Sequence, residues 1–213
     1  CALPILLALF PLTGETFYIQ LGAKIMILAI FAMSLDLLVG CTGLVSLGHA
    51  AYFGLASYTV ALMSPKYEAA SLWLTLPAAV GAAAVLALAI GILVVRTAGV
   101  YFIMVTLAFA QMLYSIFHDT KIAGGSDGIY LTLRPEMTIA GWTLLDLEKP
   151  GQFYYLALAS MLLTWLLLRQ VLRSPFGHAL AGIRANEQRM RSIGFPTFRY
   201  KLGAFVLAGA LAG

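Results

Sequence analysis

The chain has 213 residues, of which 62% are hydrophobic and only 10% charged, and its mean hydropathy is +0.93. Soluble domains carry roughly a quarter charged residues, so a water-soluble globule is excluded, and 12% aromatics with so little charge exclude a disordered chain. The net charge of +4 does not point to nucleic acid, because the bases concentrate in one segment, the pattern that sets membrane topology.

In hydrocarbon every backbone N–H and C=O must be paired within the structure, so uncharged apolar stretches without strand alternation read as helices of roughly 20 residues. Segment 1–14 is uncharged but short and reads as an incomplete span. The stretch 17–63 is long enough for two crossings and is interrupted by Gly40, Gly43, Gly48 and Gly54. It reads as spans 17–39 and 49–63, with 40–48 as a turn, a re-entrant loop or a helix break. Irregular backbone at membrane depth persists only where protein buries it or a watery cavity solvates it, so this pair is the best pointer to a transport path. Segments 69–95, 97–117 and 150–168 carry no charge over 27, 21 and 19 residues and read as full spans. Residues 202–213 open another that the chain end interrupts. The fold class is therefore all-α, a polytopic membrane protein with about five to seven transmembrane helices, and 1–213 reads as a single transmembrane domain. A chain that starts at Cys1 rather than Met and stops inside an apolar run is expected to be part of a longer protein, incomplete at its C-terminus.

The two long loops differ in sign. Residues 169–201 hold seven bases and one acid, Glu187, whereas 118–149 hold three bases and five acids. The first is expected to be cytoplasmic, with its loop at about 171–200, and the second, at about 118–149, to face out. Arg96 then lies inside, and Trp73, Trp142 and Tyr154 are expected at the outer interface.

Several side chains invite a chemical reading. Gly124, Ser126 and Gly128 spell G-x-S-x-G near His118 and Asp119, but that motif needs a strand-turn-helix elbow, and turn chemistry explains it better. Cys1 and Cys41 match no metal or redox spacing, so no metal site is expected. No phosphate-binding G-x-x-x-x-G-K-[ST] loop occurs, so this chain is expected to bind no cofactor and its energy to come from elsewhere. Lys24 and Asp36 fall within span 17–39 and are candidates for an ion relay, although Lys24 can snorkel outward.

Segment 43–54, GLVSLGHAAYFG, mixes glycines with Ser46, His49 and Tyr52. Segment 99–111, GVYFIMVTLAFAQ, places Thr106 and Gln111 in an apolar helix, and an unpaired amide in hydrocarbon is costly, so Gln111 must face protein or water. These five are the candidate path residues. Segment 174–202, SPFGHALAGIRANEQRMRSIGFPTFRYKL, opens with Ser-Pro and closes with Gly194 and Pro196, which predicts one short helix between them. Leu180, Ile183, Glu187, Met190 and Ile193 recur on it at helical spacing. The stripe suits a docking helix, or a helix resting on membrane lipid.

These three segments, together with GGSDGI at 124–129, resemble in order and spacing the permeases of branched-chain amino-acid ABC importers, closest to the LivM type. The resemblance covers about 17–213 and implies a bacterial inner-membrane permease moving a small apolar amino acid inward by alternating access. It implies as partners a second, LivH-like permease subunit, two ABC ATPase subunits that use ATP, and a periplasmic substrate-binding protein. It also assigns ATPase coupling to Ala185, Asn186, Glu187 and Gly194. His49 stands where many relatives have Gln, and permeases for urea and other amides share much of the pattern. An intramembrane serine protease and an ion-coupled secondary transporter remain the readings from other classes.

Overall fold

A computed structural model describes residues 10–13, 16–64, 71–120, 137–139, 142–145 and 150–213. A short 3-10 turn, Phe10–Thr13, precedes helix α1, Thr16–Asp36, which continues without a break into a π-helical turn, Leu37–Thr42. Helices α2, Ala50–Met63, α3, Leu72–Val94, and α4, Val100–Asp119, follow. Strands β1, Met137–Ile139, and β2, Trp142–Leu145, pair antiparallel. Helix α5, Pro150–Arg173, leads to α6, Pro175–Ala185, α7, Glu187–Ser192, and α8, Thr197–Ala212.

The protein is a polytopic helical membrane protein. Among the described residues four helices, Thr16–Thr42, α3, α4 and α5, are long and apolar enough to cross a membrane, and α2 is a shorter apolar helix. The predicted spans therefore appear nearly where charge-free runs placed them, with α5 extending to Arg173 and α8 starting five residues before its apolar run. The β1–β2 ribbon is an addition that the composition of the loop did not announce. Most of segment 1–14, and the Ser126 motif, lie outside the described residues.

Packing depends on small side chains. Ala83, Ala87, Ala208 and Ala212 are buried along the α3–α8 contact, where alanines let two backbones approach closely. Phe205 of α8 fills the centre, edge-on to Tyr52 at 6.0 Å and to Phe102 at 6.1 Å; such pairs add about 0.5–1.5 kcal/mol each beyond burial. A second cluster joins Ile19, Ala23 and Met26 of α1 to Tyr154, Ala157 and Leu158 of α5. Tyr154, near the start of α5, is thus buried between helices. Trp73, by contrast, is exposed at the start of α3.

The single helix predicted between Ser174 and Gly194 is two. Ser174 caps α6 in extended conformation with Pro175 in its first turn, as read from sequence. At Asn186, however, the backbone turns to φ −159°, ψ 99°, and the side-chain oxygen accepts the Arg189 N–H at 3.0 Å. Asparagine competes with the helical backbone for hydrogen bonds and is a favoured N-cap, so it ends one helix by starting the next. Leu180 and Ile183 are consequently buried while Ile193 is 65% exposed, and the predicted stripe divides between two helices.

Candidate functional site

The π turn at the end of α1 closes on Gly43, whose φ of 73° only glycine adopts without strain. The Leu44 N–H reaches back to the Leu38 carbonyl at 3.2 Å. Residues 44–48 then run without helix into α2. At 14 residues α2 is about 21 Å long, roughly 9 Å short of the hydrocarbon thickness. Along the non-helical segment alternate residues turn inward: Leu44, Ser46 and Gly48 are buried, as is His49 after them, whereas Val45 and Leu47 are exposed. Segment 40–48 is thus π-helical to Thr42 and non-helical from Leu44 to Gly48.

Thr106 holds this segment to α4. Its hydroxyl donates to the Ile103 carbonyl at 2.8 Å and accepts the Leu47 N–H at 3.3 Å, so one side chain satisfies a backbone donor that hydrocarbon would leave unpaired. At Gly48 a Cβ would collide with the Thr106 carbonyl, which makes glycine the residue that permits the approach.

Ser34, which sequence reasoning missed, anchors the other side. Its hydroxyl donates to the Phe31 carbonyl at 2.7 Å, and its oxygen lies 2.9 Å from His49 Nε2. Because the one hydroxyl proton is committed, Nε2 carries the shared proton and Nδ1 is left as an acceptor. Among the described residues, neither Nδ1 nor the buried Ser46 hydroxyl has a hydrogen-bond partner. Phe31 and Tyr52 enclose the imidazole, with ring centroids 5.2 and 5.7 Å away. Ser46, His49, Tyr52 and Thr106 therefore gather around one segment, all buried. Gln111 does not join them: it lies exposed on α4. Lys24 and Asp36 are exposed as well.

A second cluster ties the α6–α7 hairpin to the bundle. Glu187 Oε2 accepts from Lys201 Nζ at 2.5 Å, and Oε1 from Arg191 Nη2 at 2.8 Å and Thr197 Oγ1 at 3.2 Å. Arg191 Nε donates in turn to Thr197 Oγ1 at 3.0 Å, closing a three-residue ring with Glu187 to which Lys201 is attached. Burial pushes the Glu187 carboxyl up, but the hydrogen bonds and charges of Lys201 and Arg191 outweigh it and hold the group below its usual range. Lys201 is only 8% exposed on the first turn of α8. Arg184, near the end of α6, donates to the Gly40 carbonyl in the π turn, where a cation meets the negative end of a helix. Arg96, before α4, lies over the Phe198 ring at 5.6 Å and shares this basic end of the bundle. Ala185 and Asn186 are exposed, and Gly194, at φ 95°, ends α7 with its N–H on the Arg191 carbonyl at 2.9 Å.

The sequence family described as the branched-chain amino acid transport system, permease component, matches residues 17–213. The chain belongs to that family. It is 29% identical to the high-affinity branched-chain amino acid transport system permease protein LivM of Escherichia coli strain K12 and 27% identical to LivM of Salmonella typhimurium strain LT2. Both alignments cover all of this chain and 54% of the relative, so the chain spans about half the length of the curated relatives it matches. No solved structure matches it. The broken segment and the hairpin are two of the four stretches on which the resemblance rested.

Proposed function

We propose that this chain is the permease subunit of an ABC importer in the bacterial inner membrane, moving branched-chain amino acids inward by alternating access. The family match across 17–213, with LivM relatives along the whole chain, carries this reading. A LivH-like second permease subunit, two ABC ATPase subunits that consume ATP, and a periplasmic substrate-binding protein complete the transporter. This chain contributes the path and the mechanical link, and no ATPase chemistry of its own.

The geometry suggests how the link works. Ala185, Asn186, Ile193 and the tip around Gly194 present an exposed surface for an ATPase. Glu187 is spent within the chain, so its role shifts from direct contact to holding α7 against α8. Movement of the hairpin reaches the non-helical segment by two routes. Arg184 pulls on the π turn at Gly40, and Lys201 carries α8, whose Phe205 packs on Tyr52. Ser46, His49, Tyr52 and Thr106 are sealed in this conformation, and the unpaired Ser46 hydroxyl and His49 Nδ1 are the polar groups a parting of α2 from α4 would offer to a substrate.

The test is affinity purification of the tagged full-length protein with its partners. Recovery of two ATPase chains and a second permease supports the reading. Their absence under conditions where the protein is abundant in the membrane would contradict it.

A further inference from the structure

Helices α1 and α5 run side by side in the same direction. Gly22 abuts Tyr154 at one end, and 33–41 faces 165–173 at the other. At that second, basic end they part to leave a cleft of about 380 Å³, with Asp36 and Met33 on the α1 wall and Trp165, Arg169, Arg173 and Leu172 on the α5 wall. The cleft opens on the outside of the bundle: Asp36, Arg169, Arg173 and Trp165 are all exposed. Arg169 and Arg173 are four residues apart, hence on one helix face, and the Arg169 guanidinium lies 5.2 Å over the Trp165 ring. Among the described residues none of the three charged groups forms an ion pair.

This combination sits where α5, about 36 Å long, leaves the hydrocarbon, which is headgroup depth. Two guanidiniums suit a phosphate, which they can grip through paired N–H donors. A carboxylate in the same cleft disfavours a purely anionic ligand and suits one that also carries a cation. Met33 and Trp165 lie on the membrane-centre side and give an acyl chain an apolar wall.

We propose that this cleft binds an aminophospholipid, with its phosphate on Arg169 and Arg173, its primary ammonium on Asp36 and one acyl chain along Met33 and Trp165. The assignment is independent of what the chain transports. It predicts a ranking of headgroups. Phosphatidylglycerol keeps the phosphate but offers nothing to Asp36, and phosphatidylcholine brings a cation without an N–H donor.

Native mass spectrometry of the purified full-length protein, given equal amounts of phosphatidylethanolamine, phosphatidylglycerol and phosphatidylcholine with matched acyl chains, reads the ranking directly. Phosphatidylethanolamine should be retained at least about tenfold over the others, the scale of one charge-assisted contact. Asp36→Asn should erase its advantage over phosphatidylglycerol, and the double variant Arg169→Gln, Arg173→Gln should lower retention of all three. Arg173→Lys, which keeps the charge and the fold, should preserve the ranking at reduced retention. Equal retention of the three lipids by the unaltered protein would overturn the proposal, as would variants that leave the ranking unchanged. A cross-link from Leu172→Cys to a copurified subunit, with no lipid retained, would also overturn it by assigning the cleft to a protein neighbour.

Discussion

Glu187 illustrates how much one side chain's surroundings can alter its meaning. In the sequence it is a lone carboxylate among arginines, apparently offered outward; in the fold, both oxygens are bonded to groups of the same chain. Removing it strands the Lys201 ammonium, which is nearly buried, and a lost charge-assisted hydrogen bond costs about 1.5–3 kcal/mol. We therefore expect Glu187→Gln and Lys201→Met each to lower the thermal midpoint of the purified protein, with the reversed pair Glu187→Lys, Lys201→Glu recovering part of the loss. A reversed pair no better than the single variants would deny the clasp. The pH dependence follows from the depressed carboxyl. A carboxyl whose folded pKa lies below its unfolded value, about 4.3, contributes its full stability above that value. The contribution falls away as pH drops through the lower folded pKa. Protease cleavage between α7 and α8 should thus be constant from pH 8 to about 5, should rise only in more acid solution, and should lose that rise in Glu187→Gln. At Gly48, Ala should cost about 1–3 kcal/mol through overpacking, because the colliding atom is the Thr106 main-chain carbonyl and not a side chain that can swing away. A Gly48→Ala protein as stable as its parent would mean that the segment is not clamped against α4.

Among the elements, the long apolar helices were legible because a charge-free run of about 20 residues has one stable solution in a bilayer. The interruption at 40–48 was legible, but its form was left among three alternatives. Glycines announce a departure from helix, but not whether neighbouring elements bury the exposed backbone; here that depends on Thr106, almost sixty residues away. The hairpin misled for a related reason. Helical spacing ran through Asn186 unbroken, and the capping bond that divides the helix is local chemistry which periodicity does not register. Ser34 and Lys201 were invisible as partners, since a serine inside an apolar run and a lysine at a helix start both have ordinary explanations. Gln111, picked out as an amide that must face protein or water, is exposed on α4, so a neighbouring subunit or a water-filled path would have to satisfy it. The orientation of these elements is testable. In a cysteine-free background and intact spheroplasts, Asp127→Cys should react with a membrane-impermeant thiol reagent and Arg189→Cys should not. The opposite pattern would invert the topology and remove the hairpin from the ATPase side.

For the whole molecule, two polar devices lie close enough to be linked: the segment around Ser34, His49 and Thr106, and a basic hairpin clasped to α8 and the π turn. Their connection through Arg184 and Lys201 makes sense if force applied at one must be felt at the other, and an importer driven by separate ATPase subunits requires this. The most direct test is uptake of labelled leucine into proteoliposomes containing the full-length protein with its partner subunits and binding protein. Accumulation should require ATP on the hairpin side and should be suppressed by isoleucine and valine but not by lysine. Uptake that continues without ATP, or that lysine suppresses as strongly as isoleucine, would contradict the account.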